Sequence, residues 1–252
     1  MNSNNSDPLI IGTSHYHFAQ LGSTNTFLKT MLGEKWLAEG TVVSTAFQTD
    51  GRGQAGARWD GANDRNIMLS VLLYPKFVPI ASQFNISKTV ALGVRDFLAG
   101  LLPREQICIK WPNDILVNER KICGILIENS LQGDKIENCI CGIGININEL
   151  PADPKRTSLK AMTGQEYPLR KLEKTLFSYI ERRYLLLRSN AAAIAGDYLK
   201  ALYRFGHERS FVDTKTNVPF VGTISGIHHD GRLIIDSESG TRMFGLKELA
   251  WE

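Results

Sequence analysis

Lys110-Trp111-Pro112-Asn113-Asp114, then Lys121, then Gly124-Ile125-Leu126-Ile127-Glu128, is the stretch on which the reading of this chain turns. It sets two lysines, an amide and a carboxylate around tight turns between apolar, β-branched runs. A strand pair that only had to fold would not need Lys110, Asp114 and Lys121 so close together. The arrangement suits a site that holds an anion, with a metal ion as a further option.

Outward from this stretch the pattern is strands in sequence. Strand-like runs at 107–111, 115–117, 121–128 and 136–148 are separated by Pro112-Asn113-Asp114, Asn118-Glu119-Arg120 and Gly133-Asp134. Connections this short imply antiparallel neighbours. Upstream, residues 24–38 read as a helix, with Ser23 or Thr24 as its cap. Phe27, Leu28, Met31, Leu32 and Trp36 give it an apolar stripe that Gly33 weakens. Residues 41–48 are β-rich, 66–74 form a strand stopped by Pro75, and 82–102 carry helical spacing. Downstream, 169–188 and 191–205 read as helices. From Ser210 only short strands follow, at 211–212, 219–227, 232–236 and 241–245, which predicts a small barrel of about 45 residues. The boundary falls near Gly206, and the fold class expected is α+β.

The 252 residues, 43% of them hydrophobic, suffice for one large domain and a small one. A net charge of +3 with no long run of like charges gives no nucleic-acid arm. No apolar run approaches the ~18 residues of a membrane span. Residues 1–8 are polar, lack a signal-peptide core and read as a disordered lead. Cys108, Cys123, Cys139 and Cys141 lack metal-site spacing; Cys139 and Cys141, two apart on a strand, face the same way. Buried free thiols fit a reducing compartment, so a cytoplasmic protein is expected.

Gly51-Arg52-Gly53-Gln54-Ala55-Gly56 matches the dinucleotide fingerprint in form only. Loop sequence follows it where a helix would have to start, and Lys76 stands where an acid is needed. It reads instead as a ligand-wrapping loop, whose glycines allow close backbone approach and whose Arg52 brings a fixed positive charge. Gly142-Ile143-Gly144-Ile145-Asn146 lies in a strand, where glycine marks close approach of a ligand or of another segment; both readings stay open. His15, His17, His207, His228 and His229 form no triad or metal pattern, and no nucleophile elbow or H-E-x-x-H is present.

Taken together these elements resemble the biotin–protein ligases, in the form without an N-terminal DNA-binding domain. Ser23-Thr24-Asn25 is similar to the family's S-T-N, Gln48 with Gly51-Arg52-Gly53 to its Q-x-x-G-R-G, and Lys110–Asp114 is its K-W-P-N-D. Lys121 with Gly124–Glu128 resembles K-x-x-G-I-L-x-E, residues 142–146 resemble G-I-G-I-N, and Thr157-Ser158-Leu159 the T-S-L that follows. The resemblance covers most of the chain. It implies a catalytic domain like that of class II tRNA synthetases over 1–205 and an SH3-like domain over 206–252. The implied reaction makes biotinyl-5′-adenylate from biotin and ATP with Mg²⁺, then transfers biotin to a lysine of a biotin carboxyl carrier domain of biotin-dependent carboxylases.

The resemblance also implies residue roles. Lys121, Asp114 and Arg52 would be catalytic. Ser23, Thr24, Asn25, Gln48, Gly51, Arg52, Gly53, Gln54, Lys121, Gly124 and Gly142 would bind biotin. Arg52, Trp59, Lys110, Asn113, Asp114, Lys121 and Asn146 would bind ATP, with Asp114 and Asn146 as the metal ligands. The chemistry explains the residue types. A carboxylate and a phosphate at ~4 Å repel by about 4 kcal/mol at an effective dielectric near 20, which Lys121, Arg52 and Mg²⁺ would offset. Asp114 is also a candidate to orient or deprotonate the incoming lysine, whose reference pKa is ~10.4.

Two departures stand out. The family loop carries further arginines where this chain has Gln54 and Ala57, with Arg58 just before Trp59. The residues before Ser23 are too few for a helix-turn-helix, so DNA binding is not expected. No membrane partner is expected, and a homodimer is left open. The competing readings are a lipoate or octanoate ligase or transferase, whose R-R-x-S-G-G-G-type segment is missing, and a non-catalytic biotin sensor.

Overall fold

Period-two alternation within the central strands decides which residues reach the site. The computed structural model describes residues 7–59 and 64–251. In chain order the first elements are β1 (His15–Leu21), α1 (Thr24–Glu34), β2 (Val42–Gln48), β3 (Asn66–Leu73) and α2 (Phe84–Leu101). Then come β4 (Ile107–Lys110), β5 (Asp114–Val117), β6 (Arg120–Gln132) and β7 (Lys135–Asn146), followed by α3 (Leu159–Thr163), α4 (Leu169–Ser189) and α5 (Ala191–Ala201). The last are β8 (Glu208–Asp213), β9 (Val218–Ile227), β10 (Leu233–Ser237), β11 (Gly240–Phe244) and β12 (Leu249–Trp251).

The first seven strands make one mixed sheet in the order β1-β2-β3-β7-β6-β5-β4. Only β1 and β2 run parallel; β4 through β7 pair antiparallel with their neighbours, as their short connections predict. Helices α2, α4 and α5 cover one face. Against them the odd-numbered residues of β3 and β7, such as Leu69, Val71, Cys141 and Ile143, build the main core. Helix α1 lies on the opposite face over a smaller cluster of Leu28, Met31, Val43, Leu72 and Ile140. On that face the cross-strand rows read Ser70-Gly142-Leu126 and Met68-Gly144-Gly124. Stripping side chains from the middle of this face leaves a hollow beside α1.

A five-stranded antiparallel sheet in the order β11-β10-β9-β8-β12 follows, with Phe211, Ile224, Leu233 and Phe244 buried. Among the described residues no helix is long and apolar enough to cross a membrane.

Several expectations need correction. Helix α1 ends at Glu34, so Trp36 leaves the stripe and is 81% exposed, while Leu37 turns back into the smaller core. Gly33 in its last turn carries the helix-breaking cost that shortens it. Ser23 makes no side-chain cap; Gln48 Oε1 from β2 accepts the first helical N–H, that of Thr24, at 2.8 Å. Helix α5 stops at Ala201, because Tyr203 N donates to Ile109 O and the chain turns there. Strands β1 and β12 and the short α3 escaped the sequence reading. Of the four thiols, Cys123, Cys139 and Cys141 are buried and Cys108 is partly exposed; all are free. Residues 1–6 of the polar lead and residues 60–63 of the loop after Trp59 lie outside the described residues.

Candidate active site

β6 carries one residue more than β5 where the two pair. The register slips between Ile115 and Leu116, so that Asp114 faces Gly124 and Leu116 faces Lys121. A bulge of this kind re-aims a side chain. Here it sets Lys121, Gly124 and Asp114 on one face, and Lys121 Nζ lies 2.7 Å from Asp114 Oδ1. The turn before β5 contains a cis Trp111–Pro112 peptide. Asn113 clamps that turn to β6: its Nδ2 donates to Ile125 O at 2.8 Å, and Ile125 N donates back to Asn113 O at 3.0 Å.

Gly124 and Gly144 are cross-strand partners, and the Trp59 indole lies on both. A Cβ at Gly144 would sit 2.3 Å from Trp59 Cε2, and one at Gly124 would sit 2.8 Å from Trp59 Cζ3. Lys121 Nζ is 5.7 Å from the same ring's centroid, within cation–π range. Gly142 serves Asn25 instead, whose Oδ1 would be 2.4 Å from a Cβ there.

At the other end the start of α1 presents Ser23, Thr24 and Asn25, all buried. Thr24 Oγ1 donates to Gln48 Oε1 at 3.2 Å. Ser70 Oγ lies 2.7 Å from Thr24 Oγ1 and 2.5 Å from Asn25 Oδ1, with one proton to give. Asn25 Nδ2 donates to Glu128 Oε2 at 2.7 Å, and Glu128 Oε1 pairs with Arg52 Nη2 at 3.2 Å. The floor of the hollow is thereby tied to the glycine loop. That loop folds back on itself: Gly53 N donates to Ala57 O, and Trp59 N donates to Gly51 O.

These parts enclose a cavity of about 300 Å³, at the lower edge of the size usual for small-molecule sites. One end offers neutral donors and acceptors with the Arg52–Glu128 pair beside them, the middle two bare glycines and an indole, and the other end Lys121 against Asp114. Such a cavity can take a ligand with a polar neutral head, an apolar body and an anionic tail. Residues 17–146 match the sequence profile of the Biotin/lipoate A/B protein ligase family. The chain belongs to this family.

Similarity extends beyond the matched segment. The chain is 30% identical over 222 residues to the biotin–[acetyl-CoA-carboxylase] ligase of Mycobacterium tuberculosis, covering 86% of this chain and 81% of that one. It is 29% identical over 213 residues to the bifunctional ligase/repressor BirA of Bacillus subtilis, covering 81% of this chain and 64% of the relative. In fold it is similar to the biotin protein ligase of Aquifex aeolicus solved with biotin and ATP. The TM-score there is 0.77 at 24% identity, over 95% of this chain and 99% of that one.

Set against the biotin/lipoate ligase motifs, the structure brings most of the expected residues to one cavity. Ser23, Thr24, Asn25, Gln48, Arg52, Gly53, Gln54, Trp59, Asn113, Asp114, Lys121, Gly124 and Gly142 all line it. Three do not. Gly51 packs beneath the loop, where a Cβ would meet Trp59 O at 2.2 Å. Asn146 is buried and spends its Nδ2 on Thr157 O at 3.0 Å. Lys110 points the other way, its Nζ 5.4 Å from the Trp251 ring centroid, and burial lowers its pKa from the ordinary lysine value. Sequence reasoning gave no role to Ser70, Glu128, Leu246 or Lys247, and for Gly144 it left approach of a ligand or of another segment open; in the structure the Trp59 ring lies there. Ser70 and Glu128 could have been found by pairing the β3, β6 and β7 runs row by row. Leu246 and Lys247 arrive from the distant β11–β12 connection, and nothing local marks them.

Proposed function

We infer that this chain is an ATP-dependent ligase that activates biotin as biotinyl-5′-adenylate and transfers it to a lysine of a biotin carboxyl carrier domain. The observation that carries this is the Lys121–Asp114 pair at 2.7 Å, set at the charged end of a cavity whose far end is neutral and hydrogen-bonding. In this reading the ureido ring meets Ser23, Thr24, Asn25 and Gln48, and the valeryl chain crosses Gly124 and Gly142 beside Trp59. Lys121 and Arg52 take the carboxylate and the α-phosphate, where their positive charge offsets the repulsion of bringing the two together.

The expected Mg²⁺ fits the donor set as an ion held chiefly by substrate phosphates and water. Asp114 is the carboxylate on hand, while Asn146 is buried and does not line the cavity. When bound, the ion would neutralise charge on the polyphosphate; this chain's own part is to orient that end with Lys121, Arg52 and Asn113. In the second step Asp114 is the group in reach to orient the attacking amine and accept its proton.

The small sheet from β8 to β12 is read as a separate SH3-like unit over 206–252, beside a catalytic unit over 1–205. The change to short antiparallel strands after Gly206 supports this. A protein with these substrates and free thiols is expected in the cytoplasm.

ATP–pyrophosphate exchange tests the reading. Exchange should depend on biotin and be absent with lipoate. Exchange with lipoate alone would move the chain to the other branch of its family.

A further inference from the structure

A second cavity, of about 180 Å³, adjoins the first. Gln54, Pro112, Asn113, Ile125 and Leu246 line both. It lies at the seam between the two sheets: Phe84 and Ser87 of α2 form one side, and the turn at Asp230-Gly231-Arg232 forms the other. The seam is pinned on each flank. Trp111 Nε1 donates to Gly231 O at 2.9 Å, and a Cβ on Gly231 would be 2.7 Å from the Phe84 ring.

Size and chemistry narrow what enters. Sites for whole small-molecule ligands run to roughly 300–1,000 Å³; this void is smaller and suits one extended side chain. Its Trp111, Phe84 and Ile127 walls match an aliphatic stem, and aromatic faces tolerate an ammonium group. At its mouth the charge of Arg232 is offset by Asp230 at 2.9 Å. At its inner end Asn113 and Ile125 stand beside Asp114.

We propose that this second cavity is the passage through which the lysine side chain of the protein acceptor reaches the adenylate. The proposal rests on the ligase reading above. In the step it serves, the lysine Nζ lone pair forms a bond to the acyl carbon. The bond from that carbon to the phosphate oxygen breaks, AMP leaves with the electron pair, and the surplus proton of the amine passes to Asp114.

Ser87→Phe narrows the passage without touching the first cavity, and Ile127→Phe does so from the opposite wall. Each variant is measured for biotin-dependent ATP–pyrophosphate exchange, then for single-turnover transfer from preformed adenylate to a purified biotin carboxyl carrier domain and to hydroxylamine. Exchange should stay within about twofold of wild type, transfer to the carrier should fall by at least about tenfold, and transfer to the small nucleophile should stay near wild type. Carrier transfer at the wild-type rate in both variants overturns the proposal. So does a raised KM for ATP with carrier transfer unchanged relative to exchange, which would make the void part of the nucleotide site. Absence of exchange in the wild-type protein is a different failure, one of the ligase reading itself.

Discussion

Lys121 meets Asp114 only because a bulge turns it to the same face, and both are partly exposed, at 31% and 24%. A pair this open contributes little to stability, so its removal separates function from folding. Lys121→Ala should lower pyrophosphate exchange by at least about a hundredfold, since a charge meeting the transition state is withdrawn, while the melting temperature moves by little. A neutral effect on exchange removes the role given to Lys121. Gly144→Ala acts on shape instead. Its Cβ would stand 2.3 Å from Trp59 Cε2, so the indole must leave the sheet. The expected result is changed tryptophan fluorescence together with a KM for biotin raised by about tenfold. Gln54 lines both cavities where the family loop carries an arginine. A charged hydrogen bond contributes roughly 1.5–3 kcal/mol, so Gln54→Arg should slow adenylate release about ten- to a hundredfold. Equal release rates would remove the role given to position 54. Lys121, Asp114 and the bare Gly124 were legible because their chemistry is dense in one short stretch. Ser70 was not, nor was the partner of Gly144, because what they touch is decided by register across three strands.

At the scale of elements, the strands with clean alternation were legible and β1 was not. Its partly buried residues are His15, Phe18 and Leu21, a spacing of three rather than two, and both its imidazoles bond to Ser44 of β2. His15 Nε2 and His17 Nδ1 lie 2.8 and 3.0 Å from the fully buried Ser44 Oγ, and His15 Nε2 is 4.0 Å from Glu173 of α4. Burial pushes the His15 pKa down to about 4 from 6.5, helped by Arg170, His17 and Lys174. His17 is lowered in the same sense by burial and Arg170, against Asp64. A base with a lowered folded pKa stabilises the fold above its unfolded value and loses that contribution as pH falls. For His15 the loss runs from pH 6.5 down to about 4 and amounts to about 3 kcal/mol at most. Glu173 works the other way: burial raises its pKa, so the fold gains from it as the pH drops through the carboxylate range. Replacing His15 with Gln keeps a partner for Ser44 without the titration. Melting temperatures from pH 7 to pH 4 should then fall less steeply than in the wild-type protein; parallel curves would remove His15 as the cause.

For the whole molecule, the change of composition near Gly206 announced a second sheet, but not that this sheet completes the site. Leu246 and Lys247 close the first cavity, and Gly231 and Arg232 form a wall of the second. Those placements depend on how two packed layers meet, which no local pattern encodes. The seam combines an apolar core shared by both sheets with specific contacts across it. Trp111, 4% exposed, donates to Gly231 O, and Lys110 lies over Trp251. Trp111→Phe removes the donor, and with it part of the ring that fills the seam, leaving a buried carbonyl without its partner. The cost of that is about 1–3 kcal/mol, against roughly 0.5–1 kcal/mol for the cation–π attraction that Lys110→Met removes. In urea, Trp111→Phe should therefore lower the unfolding midpoint more than Lys110→Met does. If the two sheets fold as one cooperative unit, a single transition shifts as a whole. If the seam is the weak plane, Trp111→Phe splits the curve, with the small sheet leaving first. An unsplit curve at the wild-type midpoint would mean that the Trp111–Gly231 bond contributes nothing to holding the sheets together, and the seam would be held by the apolar core the two sheets share, which includes Phe211, Ile224, Leu233 and Phe244.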